Sequence, residues 1–438
     1  MPMSAPAQPS AAPSAQLTCP SCQQSITYYD VAGSEYYACP HCHSYFRYHG
    51  EGPPKLFGKY REVPNDLGVL PVGTPGTLAG QACRVVGYVR RAEAKTPHYE
   101  WVEYQIFRPA TGDCVQLSQF NGHWMIIQPA KRNYDVQAAS TRAAYVSQPG
   151  AQYKLYNRYQ ARICYAEGEF DWDIEGDDQL KVAEFICPPI MLVQEKSKAG
   201  SKWYHAEHLE PAAVVEAFGR DKVVVPARMG VGAVQPDPTD AMWPGLRNLT
   251  LLALIALCIV QFGVKRSSKI LFTDTLHVVA DASGTPGTGK VIVSPSFTVG
   301  QQGPLEIDLT TTVNNQWLEL PVSLVNEQTG QGFEFTKNIE FYNGVEGGES
   351  WSEGSRNADA VLSRVPAGRY HLNFYPFSEA GPAAPDIAVT VTADPPLWSN
   401  FLTLLALILA FPAFQLWRSS NYETRRWDES DYAPKTDS

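Results

Sequence analysis

Two C-P-x-C turns carry the clearest chemistry in the chain, Cys19-Pro-Ser-Cys22 and Cys39-Pro-His-Cys42, with sixteen residues between them. A C-x-x-C turn presents two thiolates to one side of an ion, and two such turns complete the tetrahedron of soft ligands that zinc takes. The reading is one structural Zn2+ bound by Cys19, Cys22, Cys39 and Cys42. Four thiolates close the shell, so no position remains for a substrate or a reactive water. A pair of redox C-x-x-C motifs would need a βαβ context that the flanking residues do not offer. His41, His43 and His49 are near enough to compete as ligands but read as exposed neighbours.

The densest acid cluster is AEGEFDWDIEGDD (166–178). Asp171, Asp173 and Glu175 before Gly176 imitate the start of a calcium loop, but its twelfth position is Val182, where a bidentate glutamate is required. A solvated hairpin edge is the expectation for this run. His205 and His208 stand at i and i+3 without a third ligand, which reads as structural. Gly284, Gly287 and Gly289 lack the order of a phosphate loop. No nucleophile elbow or catalytic dyad occurs, so no catalytic or cofactor-binding residue is assigned. The enzyme alternative needs Glu167, Glu169, Asp171 and Asp173, with His205 or His208, to converge in a cleft.

The elements that must position these groups are mainly strands. SITYYD and SEYYAC, around Gly33, suit a ribbon over 17–50, after a disordered tail at 1–16. Residues 66–218 alternate in short strand-like segments, with Asn121-Gly122 as the best hairpin signal and a helix expected near 209–219. VEYQIFRP (102–109) echoes VAEFICPP (182–189), and each is followed by Leu-x-Gln, a glycine and a tryptophan. Either a β unit is duplicated, as 66–147 and 151–218, or similar strands have similar chemistry. Pro226, Pro236 and Pro238 mark 219–242 as a linker.

Two apolar runs, 243–264 and 397–417, have the length of membrane spans, with Trp398 and Trp417 near the ends of the second. The 267–394 segment between them alternates like an antiparallel β-sandwich or jelly roll. The fold class is therefore mainly β and multidomain: a zinc ribbon, a cytosolic barrel-like β module, and two transmembrane helices flanking an extracytoplasmic β-sandwich.

With 438 residues the chain suggests two to four domains, and its net charge of −10 argues against nucleic acid as a partner. Arg418, Arg425 and Arg426 favour a cytosolic tail at 418–438, while Lys265, Arg266 and Lys269 pull the other way. Exporting the first 240 residues would need a signal that MPMSAPAQPSAAPSAQ does not provide, and scattered single cysteines suit a reducing compartment. The expectation is a bacterial plasma (inner) membrane protein with both termini in the cytosol. Its partners are then the lipid bilayer and proteins in the cytosol and envelope, with Tyr28, Tyr29, Tyr36 and Tyr37 as interface candidates.

From about Leu67 to Phe218 the chain resembles the prokaryotic family called domain of unknown function 4178. The resemblance rests on Trp101-x-Glu103-Tyr104, Gly122-x-Trp124, Ala166-Glu-Gly-Glu-Phe170 with Trp172, Pro188-Pro189, Glu195, Trp203 and Leu209-Glu210-Pro211. It implies an N-terminal zinc ribbon, C-terminal transmembrane segments and a membrane-stress or polyamine-linked setting, and no activity. The function expected is a non-enzymatic membrane-anchored adaptor or sensor.

Overall fold

A computed structural model describes residues 14–61, 64, 68–138, 140, 143–175, 180–198, 200–219, 223–378 and 384–434. The chain divides into two compact units: Met1–Met242 with Gln415–Ser438, and Trp243–Phe414.

Unit one begins with a hairpin of β1 (Ala15–Thr18) and β2 (Ser25–Tyr28), then β3 (Tyr36–Ala38), β4 (Ser44–Arg47) and β5 (Lys55–Lys59) as an antiparallel sheet. Ala15 and Gln16, expected in a disordered tail, are thus part of the ribbon, while 1–13 lie outside the described residues. β6 (Pro75–Leu78) leads into a meander of β7 (Gln81–Glu93), β8 (Glu100–Arg108), β9 (Asp113–Phe120) and β10 (His123–Pro129). After the short β11 (Gln137–Ala138) and β12 (Ala144–Gln148), a second meander runs through β13 (Ala151–Phe170), β14 (Lys181–Cys187), β15 (Ile190–Ser197) and β16 (Gly200–Leu209).

The meanders close on one another, β10 against β16 and β7 against β13, into an eight-stranded antiparallel barrel. Closure satisfies the edges that an open sheet would leave unpaired. Asn121 and Gly122 form the expected tight turn, with φ of 49° and 77°, the left-handed pair that a type I′ hairpin requires.

The sequence echo falls on matching strands of the two meanders. Tyr104 of β8 pairs with Leu117 as Phe185 of β14 pairs with Leu192, and Trp124 pairs with Gln119 as Trp203 pairs with Gln194. The true register is one residue off the written echo, so Glu103 corresponds to Glu184. Side chains alternate across a strand, which puts Tyr104, Leu117 and Trp124 outward beneath Val214 and Phe218 of helix α1 (Pro211–Phe218), and Glu103 inward.

The 219–242 segment is not a free linker. Its described residues form no strand, yet Val223, Val231, Val234, Asp237 and Thr239 are buried, Val223 and Val234 within clusters that include barrel residues. Its prolines exclude regular structure, but its valines still have apolar surface to hide.

Unit two starts with helix α2 (Trp243–Ser267) and continues with β17 (Lys269–His277), β18 (Ile292–Val293), β19 (Phe297–Val299), β20 (Gly303–Thr311), β21 (Gln316–Asn326) and β22 (Gly332–Glu346). β23 (Glu349–Ser355), β24 (Asn357–Val365), β25 (Gly368–Phe374), β26 (Phe377–Ser378) and β27 (Asp386–Ala393) complete its strands. A four-stranded sheet, β17-β27-β20-β24, and a seven-stranded sheet around β25-β21-β22 share one core that includes Ile307, Val389, Leu320 and Leu372.

Helix α3 (Trp398–Arg426) follows, and its last turns, from Gln415 on, belong to unit one. It outruns the expected span end at 417, and the expected tail is docked on unit one through residues up to 432. Arg426, 1% exposed, donates to the carbonyls of Gly232 and Ala233, and Tyr156 Oη donates to the Arg426 carbonyl at 2.9 Å. α2 and α3 are both long and apolar enough to cross a membrane.

Candidate metal centre

The two cysteine turns sit at the β1–β2 and β3–β4 connections and are built alike. Gln23 N–H donates to Cys19 O at 3.0 Å and His43 N–H to Cys39 O at 2.9 Å, and both residues are left-handed (φ 62° and 60°). Such a turn brings backbone and both thiols of a C-x-x-C to one point. Across the turns, Cys19 Sγ lies 3.7 Å from Cys42 Sγ, and Cys22 Sγ 3.7 Å from Cys39 Sγ. All four sulfurs fall within 4.8 Å of one another, close enough to hold one metal ion.

Electrostatics favours a cation there. Burial pushes the Cys19 and Cys39 thiols up, so two buried thiolates need a positive charge between them. Burial opposes ionisation of Cys42 too, but hydrogen bonds with the Ser44 hydroxyl and backbone outweigh it and pull this thiol down to about 6. Leu17, Ile26, Tyr37 and Phe46 pack around the cysteines as a small apolar core.

The ribbon is joined to the barrel through the acid run. β3 pairs with the end of β13, Tyr37 opposite Glu169 and Tyr36 opposite Phe170. Glu169, 2% exposed, accepts the backbone N–H groups of Tyr29 at 2.7 Å and Asp30 at 3.2 Å. Ala166–Phe170 is therefore not a solvated edge. Its charges read as solvated only when the neighbouring sheet that satisfies them is left out. Burial raises Glu169 to about 7 even against those two donors.

Tyr36 and Tyr37 are buried, not free for an interface, and Tyr28 and Tyr29 are half-buried. His43 is half-buried as well, with Nδ1 3.2 Å from Tyr165 Oη, whereas His41 and His49 are exposed as expected.

The groups of the enzyme alternative do not converge. Glu167 accepts from Tyr165 Oη, Asp171 accepts from Gln105 at 2.7 Å, and Asp173 caps the N–H of Glu175. His205 and His208 are three apart on β16, so they face opposite sides, and His208 bonds Glu210. Gly176 lies outside the described residues. Apart from the cysteines, no three His, Cys, Asp or Glu among the described residues converge closely enough to share an ion.

A second set went unassigned in the sequence. A cavity of about 490 Å³ inside the barrel is lined from all eight strands, among them by Arg91, Glu103, Tyr159, Glu184, Glu195 and Tyr204. The signal was present: a glutamate inside an apolar strand, in Val102-Glu103-Tyr104 and again in Ala183-Glu184-Phe185, has to face a polar interior or solvent.

Residues 71–211 match the family model described as Domain of unknown function (DUF4178). The matched span covers β6 to β16, all eight barrel strands among them, and ends at the first residue of α1. No curated protein matches the chain. Among solved structures, the C-terminal domain of A223, a structural protein of sulfolobus turreted icosahedral virus, is 10% identical with a TM-score of 0.16 and covers 29% of this chain and 96% of its own. The VP2 protein of infectious bursal disease virus, as a D431N mutant, is 10% identical with a TM-score of 0.17 over 87% and 68%. PNGF-II is 8% identical with a TM-score of 0.19 over 73% and 66%.

Proposed function

We propose that this chain is a non-enzymatic, membrane-anchored adaptor or sensor of the bacterial inner membrane. In this reading a zinc-held ribbon and the barrel face the cytosol, and the two-sheet unit lies outside. The observation that carries it is the path of the chain. It leaves the ribbon–barrel unit at Met242 directly into α2 and returns to it along α3 at Gln415, so both connections run through apolar helices. Leu252, Ile255, Ile259, Leu402, Leu407 and Phe414 on these helices are exposed, as a lipid-facing surface would be.

Two spans put the barrel, the ribbon and the docked C-terminal segment on one side. Arg418 and Arg425 and the single cysteines of the barrel favour the cytosol for that side. Zinc is the ion the ribbon suits. A tetrahedron of Zn–S bonds of about 2.3 Å has edges of about 3.8 Å, and the observed cross-turn separations are 3.7 Å. A closed shell of this kind supports a docking module held in shape by its metal rather than a catalytic centre.

An alkaline phosphatase fusion after residue 394 should be active, and a green fluorescent protein fusion at the C-terminus should fluoresce. The reverse pattern overturns the topology. Capture of the full chain from crosslinked native membranes should recover a specific protein partner that is lost with Cys39→Ser. Recovery of none overturns the adaptor reading.

A further inference from the structure

We infer that the lumen of the barrel is a binding site for a small organic cation, an ammonium or guanidinium compound with an apolar body. The inference deepens the sensor half of the reading above, because a sensor needs something to sense.

The cavity measures about 490 Å³, within the range of small-molecule sites. Its charge is one-sided. Among the described lining residues stand seven carboxylates, four half-buried (Glu93, Glu103, Glu184 and Glu195) and three exposed (Asp428, Glu429 and Asp431), against one arginine and no lysine. The arginine is already spent: Arg91 Nε donates to Glu103 at 2.8 Å, and Trp101 Nε1 donates to the other carboxylate oxygen at 2.8 Å.

The matching position in the second meander is different. Glu184, the counterpart of Glu103, accepts from Tyr159 Oη at 2.7 Å, and among the described residues no Lys or Arg forms an ion pair with it. Glu195 bonds Tyr204 in the same way, with Arg91 the nearby cation. Half-buried carboxylates with too little positive charge beside them make a cation the complementary guest.

A metal ion fits less well than an organic cation, since none of these acids come together in a group of three able to share one ion. The aromatic and apolar wall points the same way. Trp101 and Tyr159 meet edge to face with centroids 5.4 Å apart, and Val182, Val193 and Ile127 add apolar lining. Aromatic faces beside carboxylates are a recognised setting for ammonium groups. Trp172, under the Arg91 guanidinium at 5.0 Å and bonded through Nε1 to Gln105, packs against one side of the charged cluster. Residues 231–235 and 428–431 contribute further lining, and the latter continue directly from α3.

The test is calorimetric titration of the full chain in detergent micelles with butylamine and tyramine, and with butanol and 4-ethylphenol as neutral counterparts. The amines should bind and the neutral compounds should not. Glu184→Gln, which keeps an acceptor for Tyr159, should weaken amine binding at least tenfold, and Glu195→Gln should weaken it as well. Thermal unfolding verifies that each variant is folded, and if one is not, the other decides. Failure of both amines to bind, equal binding of amine and alcohol, or unchanged affinity in a folded variant overturns the proposal. None of these readouts depends on topology or on a protein partner, so the adaptor reading stands or falls separately.

Discussion

Glu169 of the barrel holds the backbone of the ribbon, its Oε1 accepting the Tyr29 N–H at 2.7 Å while Oε2 takes Asp30 N–H at 3.2 Å. Both donors lie in the loop between the two cysteine turns, so the carboxylate fixes that loop on β13 without contact with the four cysteines. Glu169→Ala would leave two N–H groups without their acceptor and open a gap in a buried joint. A loss of about 2–4 kcal/mol is expected from leaving two backbone donors unsatisfied in a buried joint. Urea unfolding should show it, with hydrogen exchange rising at 29–38 while zinc content stays unchanged. Unchanged exchange there would mean that the β3–β13 pairing alone holds the ribbon.

Cys39→Ser tests the centre itself. Cys39 is fully buried, and its neighbours in the small core are the other cysteines with Tyr37 and Phe46. Loss of one thiolate leaves three ligands and removes much of the binding free energy that folds so small a core. Metal analysis of purified protein should give about one zinc per chain for the wild type and far less for the variant. Hydrogen exchange should rise through 15–47, and also at 168–170, where β13 loses β3. Retention of a full zinc equivalent would remove Cys39 from the ligand set.

What the sequence disclosed, and what it concealed, follows from how local each signal is. The cysteine turns and the Asn121-Gly122 hairpin are short-range chemistry, and both were readable residue by residue. Glu169 was not, because a charged residue in an acid run counts as solvated until a partner 140 positions away supplies the N–H groups. The lumen was hidden for a related reason. Alternation shows that Glu103 and Tyr104 face opposite ways, but only closure of β7 on β13 and β10 on β16 turns the polar side into an interior. The echo between the meanders was visible, though its register waited on the pairing of Tyr104 with Leu117 and of Phe185 with Leu192.

Arg426 ties the end of α3 to the barrel. Its guanidinium donates to Gly232 and Ala233 carbonyls at 3.0 and 3.2 Å and pairs with Glu423, while Trp427 packs on Tyr156 with ring centroids 5.4 Å apart. Ser430 Oγ also donates to the Tyr156 carbonyl. Arg426→Ala removes a buried charge and leaves the Gly232 and Ala233 carbonyls without their donor, a change worth about 2–4 kcal/mol. Limited proteolysis should cut 427–434 in the variant under conditions where the wild type is resistant. Equal resistance would show that Trp427 and Ser430 suffice to dock the segment.

Glu184 should give the barrel a pH dependence whose sign is fixed by burial. Enclosure in the lumen raises this carboxyl to about 7 from an ordinary 4.5, with the Tyr159 hydrogen bond opposing the rise and the nearby Glu93 charge adding to it. A carboxyl that holds its proton more tightly when folded favours the folded state at low pH. Its contribution is full below about 4.5, declines as pH rises towards 7, and is constant above that. Glu184→Gln cannot ionise, so its stability relative to wild type should grow through that window, reaching roughly 2–3 kcal/mol at pH 8. Glu169 titrates in the same range but is common to both proteins, so the difference between their unfolding curves at pH 5 and pH 8 isolates Glu184. A difference that does not change with pH would mean that the lumen leaves Glu184 as ionisable as it is in water.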